Sequence, residues 1–197
     1  MLFRSRLVAR AVEATERFGV GTGSVRTIAG TLGLHVELEQ RLAAFKRTEA
    51  AVVFQSGFTA NAGTVAALLG KDDVIVSDAL NHASIIDGSR LSRASIKVYP
   101  HKDVSAARAI LAGLPAGTRA LLVTDGVFSM DGDLAPLPAL CAAAEEFGAI
   151  MMVDDAHASG VFGANGRGTV DHFQVHGRVH VQVGTLSKAI EIGRAHV

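Results

Sequence analysis

Six short apolar runs, separated by stretches of helical spacing, constrain this chain more than any other feature. They are Ala50–Phe54, Val74–Val76, Ile96–Tyr99, Ala120–Val123, Ile150–Val153 and Val179–Val183. Two of them, Ala120–Val123 and Ile150–Val153, are continuous apolar stretches that suit strands covered on both faces. Between them, Thr59–Leu69, His82–Leu91 and Leu137–Phe147 carry apolar residues at helical spacing, and Asp103 can cap a further helix that ends at Gly113. Upstream, Leu7–Phe18 and Val36–Phe45 read as helices and Gly19–Gly33 as loop. Strands alternating with helices predict an α/β fold: one domain, with a mostly parallel sheet between helices.

Composition narrows the function. The 197 residues are 49% hydrophobic, enough for a large core, and Lys+Arg equals Asp+Glu at 19 each, which leaves no basic footprint for nucleic acid or an anionic membrane. No apolar run approaches the ~18 residues of a membrane span. The single cysteine, Cys141, excludes an internal disulfide framework, reads as a small buried hydrophobe and suits a reducing, cytoplasmic setting.

In open α/β sheets, ligands bind outside the carboxyl ends of the strands. After the first run come Ser56, Gly57 and Phe58, opening a helix whose free amides suit an anion, or simply making a strand-to-helix turn. Asn81-His82-Ala83-Ser84 follows the second run; the imidazole can stack on a flat ring or cap a helix. Val127 to Asp133 contains Ser129, a possible donor to an oxygen, and the turn signal Asp131-Gly132. Asp154 ends a core strand, where a carboxylate needs a positive or hydrogen-bonding partner, and His157 can face the same cavity. Gly184-Thr185-Leu186-Ser187-Lys188 places an amine where desolvation would free it as nucleophile or base; the alternative is a surface lysine. His172, His176 and His180 are four apart, but Gly177 interrupts the helix that would gather them, and no metal is expected.

Together these pieces resemble the α-oxoamine synthase family of pyridoxal 5'-phosphate (PLP) enzymes, of fold type I, the aspartate-aminotransferase-like architecture. The resemblance rests on Gly21 to Arg26, Gly30-Thr31 with His35 and Leu38-Glu39, Ser56 to Asn61, Asn81 to Gly88, Val127 to Gly132, Asp154 to His157 and Gly184 to Ala189, and covers Arg6 to Ala189. Asp78 to Gly88 and Thr124 to Ser129 look most like the glycine C-acetyltransferase branch (threonine degradation). Asp133 with Ala135-Pro136-Leu137 looks more like the 8-amino-7-oxononanoate synthase branch (biotin biosynthesis).

The resemblance implies roles. Lys188 would hold PLP covalently, Asp154 would pair with the pyridinium nitrogen, and His157 and Ser129 would bond the ring hydroxyl. His82 would stack over the ring, and Ser56, Gly57 and Phe58, assisted by Thr185, would bind the phosphate. It implies a Claisen-type condensation: Lys188 removes a Cα proton from glycine or alanine, and the carbanion attacks an acyl-CoA with release of CoA. An aminotransferase or lyase on the same fold is the enzyme alternative, and a non-catalytic subunit the alternative of another class. The family forms homodimers.

The ends, 1–5 and 191–197, look like translated sequencing-adapter arms, which leaves 6–190 as the expected cofactor-binding domain. The family's C-terminal domain, with its carboxylate-binding arginine, is expected to be missing, and the chain alone to be inactive.

Overall fold

The computed structural model describes residues 2–190 and 195–196, with side chains described for 5–190. Of the expected non-native ends, Met1, 191–194 and Val197 lie outside the described residues. Two compact units divide at Leu38 and Glu39.

The first unit holds helix α1 (Leu2–Phe18), a glycine-rich loop and the start of α2 (Gly33–Lys46). Gly19, Gly21 and Gly23 all have positive φ, so the expected loop is real. Thr22 Oγ1 and Thr31 Oγ1 donate to Ser24 O and Arg26 O, which closes the turns from within.

The second unit carries the sheet. Its elements are β1 (Val53–Phe54), α3 (Gly57–Leu68), β2 (Val74–Asp78), α4 (Ala83–Ser92), β3 (Ser95–Tyr99), α5 (Val104–Ala112) and β4 (Ala120–Asp125). They continue with β5 (Val127–Phe128), β6 (Asp133–Leu134), α6 (Leu137–Glu146), β7 (Ile150–Asp154), α7 (Thr169–His172), β8 (Val181–Thr185) and β9 (Ala195–His196). The sheet order is β1-β9-β8-β7-β4-β2-β3, with only β9 antiparallel to its neighbours, and β5–β6 forms a separate hairpin.

The runs in β2, β4 and β7 are continuous because both faces of those strands are buried, whereas β3, at the sheet edge, is exposed except at Tyr99. Val74, Val76, Leu122, Met151 and Val153 pack with α5 and α6, whereas Ile75, Leu121, Val123 and Met152 pack with α3 and α4. This period of two is the strand geometry itself. Asp103 caps α5 by accepting from Ala106 N at 2.9 Å, as expected, and Cys141 is fully buried in α6. Burial pushes the Cys141 thiol up to about 11, which makes it a poor nucleophile.

Some boundaries moved. Only Val53–Phe54 of the first run pairs, because β9 offers a two-residue partner there and Thr48 Oγ1 occupies Ala50 O. The last strand starts at Val181, after the positive-φ turn at Gly177. The expected Asp131-Gly132 turn closes the β5–β6 hairpin, whose two-residue strands are too short to show a pattern.

Chain order places the crevice. From β2 the chain passes through α4 to β3 on one side; from β4 it passes through α6 to β7 on the other. The connections diverge between β2 and β4, which is the switch point where α/β sheets open. Asn81 spans it. Its Nδ2 donates to Val123 O and Ser77 Oγ, and its Oδ1 accepts from Asp125 N, all at 2.8–2.9 Å.

The hairpin is pinned by His101, whose ring lies edge-on to Phe128. Its Nδ1 is 3.0 Å from Asp78 Oδ1 and its Nε2 3.2 Å from Asp133 Oδ2. Two carboxylates facing both ring nitrogens favour the doubly protonated form. Burial works against the charge, but hydrogen bonds from Asp78 and Asp133 outweigh it and raise the His101 pKa. A raised folded value stabilises fully below the ordinary histidine pKa of about 6.5, and the contribution disappears as pH rises through the folded value. Denaturant midpoints measured against pH should therefore fall over that window, and His101→Gln should flatten the fall.

Candidate active site

The strand ends around the switch point line one open cleft of about 460 Å3, bordered by Gly57, Phe58, Asn61, His82, Ser84, Asp125, Asp154, Ala156, His157, Thr185, Ser187 and Lys188. Seven of the residues expected from the sequence are thus brought together: Gly57, Phe58, His82, Asp154, His157, Thr185 and Lys188. Ser56 sits next to the cleft as the N-cap of α3. Ser129 is exposed beyond β5 and does not border it.

Helix α3 starts on a capping box: Ser56 Oγ accepts from Thr59 N at 3.2 Å, and Thr59 Oγ1 accepts from Ser56 N at 3.1 Å. The amides of Gly57 and Phe58 are first-turn donors without an intrahelical acceptor. A Cβ on Gly57 would come within 2.7 Å of Thr185 Cγ2, so only glycine lets the helix start approach β8 this closely.

Asp154 is 5% exposed and accepts one hydrogen bond on each oxygen. Oδ1 takes Ala156 N at 2.8 Å and Oδ2 takes Asn61 Nδ2 at 2.6 Å. The same Asn61 Nδ2 donates to Ser84 Oγ at 2.9 Å, which lies 2.7 Å from His82 Nδ1. Ser84 N also donates to that nitrogen at 3.2 Å. Because Nδ1 receives a backbone N–H, it is an acceptor, and the neutral ring carries its proton on Nε2. Burial, helped by the nearby Lys188 cation, lowers the His157 pKa and favours its neutral form.

Sequence reasoning overlooked Asp125, Asn61 and Ser84. Asp125 pairs in register with Asp154, and the signal was available: two neighbouring apolar runs each end in aspartate. It also expected Lys188 to be desolvated. The structure corrects this: Lys188 is exposed, since it lies in the loop past the end of β8.

Asp155 faces away from the cleft and has no exposed surface. It accepts from Thr169 N and Thr169 Oγ1 and lies 3.6 Å from Lys46 Nζ. Lys46, 2% exposed, also donates to Ser159 Oγ and Arg167 O at 2.8 Å. A Cβ on Gly168 would collide with the Asp155 carboxylate, so the loop closes here only through glycine at φ 105°. Burial lowers the Lys46 pKa against the opposing pull of Asp155. The three spaced histidines do not converge: α7 stops at His172, His176 bonds Asp171, and His180 Nδ1 accepts from Met151 N. Among the described residues, no group of histidine, cysteine and acidic side chains could hold a metal ion. No described helix is long and apolar enough to cross a membrane.

The family model described as Aminotransferase class I and II matches residues 2–192. The chain belongs to that family. It is 60% identical over 187 residues to 8-amino-7-oxononanoate synthase 1 of Bacillus subtilis (strain 168), a match covering 95% of this chain and 48% of that protein. It is 55% identical over 193 residues to the 8-amino-7-oxononanoate synthase of Thermoanaerobacter pseudethanolicus, covering 98% and 49%. A serine palmitoyltransferase from S. paucimobilis, solved with bound PLP–myriocin, superposes with TM-score 0.93 at 39% identity over 97% of this chain and 48% of that one. The 8-amino-7-oxononanoate synthase of Francisella tularensis gives 0.76 at 30% over 94% and 51%. These relatives are α-oxoamine synthases, the family whose motifs the sequence carries, and the sheet is that of PLP-dependent fold type I. The chain spans about half the length of the curated relatives it matches.

Breaking the buried pair should be costly, because the remaining charge has little water to turn to. Lys46→Met should lower stability by about 3–5 kcal/mol in urea titration. Adding Asp155→Asn should recover part of that loss.

Proposed function

We propose that the whole protein is a PLP-dependent C-acyltransferase that condenses a small amino acid with an acyl-CoA and releases CoA. The observation that carries this reading is the convergence of Asp154, His157, His82 and Lys188 on one cleft with the amide end of α3.

The residues present fit PLP. The first-turn amides of α3 beside the Gly57–Thr185 approach suit its phosphate. The Asp154 carboxyl in the cleft suits a protonated ring nitrogen, and the buried Asn61 Oδ1 and Asp125 Oδ1 have no partner of their own. In this reading Gly57 and Phe58, with Ser56 and Thr185, hold the phosphate. Asp154 would face the ring nitrogen, His157 would bond the ring hydroxyl and His82 would stack on the ring, whereas Ser129, exposed outside the cleft, is given no role. When bound, PLP supplies an electron sink for a carbanion at the amino acid Cα.

The remaining chemistry belongs to the chain. The Lys188 amine would hold the cofactor and would take the proton from the amino acid Cα. The Asn61–Ser84 bonds hold the His82 ring in its Nε2–H tautomer. One donor on each oxygen fixes the orientation of the Asp154 carboxyl.

Glycine or alanine is the proposed amino acid, and the relatives' names favour the 8-amino-7-oxononanoate synthase branch over the glycine C-acetyltransferase branch. The proposed assembly is a homodimer in the cytoplasm.

PLP added to the chain should give a visible absorbance band and, after borohydride, a permanent label on Lys188. Lys188→Ala should lose both. A persistent label in that variant would reassign the lysine. Acyl-CoA-dependent release of CoA by the whole protein separates the acyltransferase from an aminotransferase or lyase.

A further inference from the structure

Two carboxylates stand side by side at the floor of the cleft, and the structure treats them differently. Asp125 and Asp154 are register partners on adjacent parallel strands, 6% and 5% exposed. Asp154 is met by two donors, one per oxygen. Asp125 is met by one: its Oδ2 accepts from His82 N at 3.2 Å, and its Oδ1 is buried without a partner. Like charges this close in a poorly hydrated place do not both ionise, and the proton goes to the group with less hydrogen-bond support.

We propose that Asp125 is a protonated positioning residue of the cleft. It ties the His82 turn to β4 through one oxygen and offers the other as a hydrogen-bond donor to an oxygen of the bound ligand. The ligand-facing half rests on the functional reading above.

The groups around Asp125 agree on direction. Burial is the largest influence, and Asp154 on β7 and Asp78 on β2 add to it. His82 N–H and the Lys188 cation oppose, and the carboxyl is pushed up to about 8. The Asp125–Asp154 pair therefore carries a single negative charge near neutral pH. One fixed charge is what a single ring cation needs; a second would be unbalanced at the same depth. The protonated acid holds His82 N–H as an acceptor on one oxygen while presenting a donor on the other, which alanine at this position could not do.

The test begins without any ligand. Carbon-13 carboxyl spectra of the aspartate-labelled chain are followed against pH, with Asp125→Asn identifying the resonance. The expected midpoint is near 8, and Asp154→Asn should move it toward the ordinary carboxylate range. A wild-type midpoint near about 4 would overturn the proposal.

PLP binding is then measured by fluorescence quenching across pH about 6 to 9. Asp125→Asn keeps a donor and an acceptor, so it should bind within about threefold of wild type while losing the pH dependence. Asp125→Ala should bind about tenfold more weakly. Equal losses in the two variants would overturn the donor role. Failure of the wild-type chain to bind PLP would overturn the functional reading and the ligand-facing half with it, whereas a midpoint near 8 would still uphold the proton on Asp125.

Discussion

The register of β4 against β7 is the constraint on which the cleft depends. Leu121 lies opposite Ile150, and two-residue periodicity carries that alignment forward until Asp125 lies opposite Asp154. A slip of one residue would exchange the faces of every side chain on the strand. Leu122 would leave the α5–α6 core, and one carboxylate would be driven toward apolar packing. The two hydrophobic layers that lock the strands in place also fix the depth and spacing of the acidic pair. Core and site are one construction here, because the energy that sets the register is hydrophobic and the groups it positions are polar.

On the opposite side of β7 the same logic runs through Asp155. Burying it against Lys46 gives little net stabilisation, since both ions lose water. Its effect is geometric: Lys46 reaches Ser159 Oγ and Arg167 O while Asp155 reaches Thr169, so the segment after β7 is gathered around one ion pair. Consecutive residues of a strand end thus face opposite ways, Asp154 toward ligand space and Asp155 toward a structural network.

Much of this was legible in the residues, and the failures have physical causes. The continuous apolar runs and the Asp103 cap are local signals, and the fold followed from them. His82, Asp154, His157 and the opening of α3 were found because strand-end chemistry in an α/β sheet has a known address. Asp125 escaped because its meaning depends on a neighbour 29 residues away in sequence and adjacent only after β4 and β7 pair. Lys46 escaped likewise: it looks like an ordinary helix-terminal lysine until the loop carrying Arg167 folds over it. The exposure of Lys188 was misjudged because position at a strand end says nothing of what covers the loop beyond it.

Asn81 has a consequence of another kind. Ladder pairing between β2 and β4 ends at Ser77 and Val123, so beyond that point the two strands diverge. Parting strands normally expose backbone groups that must find water. A single side-chain amide takes over from the lost rungs, with its nitrogen on Val123 O and its oxygen on Asp125 N. The sheet can split at its mouth without recruiting solvent there. One buried side chain thus lets two neighbouring strands part while still tying one to the other.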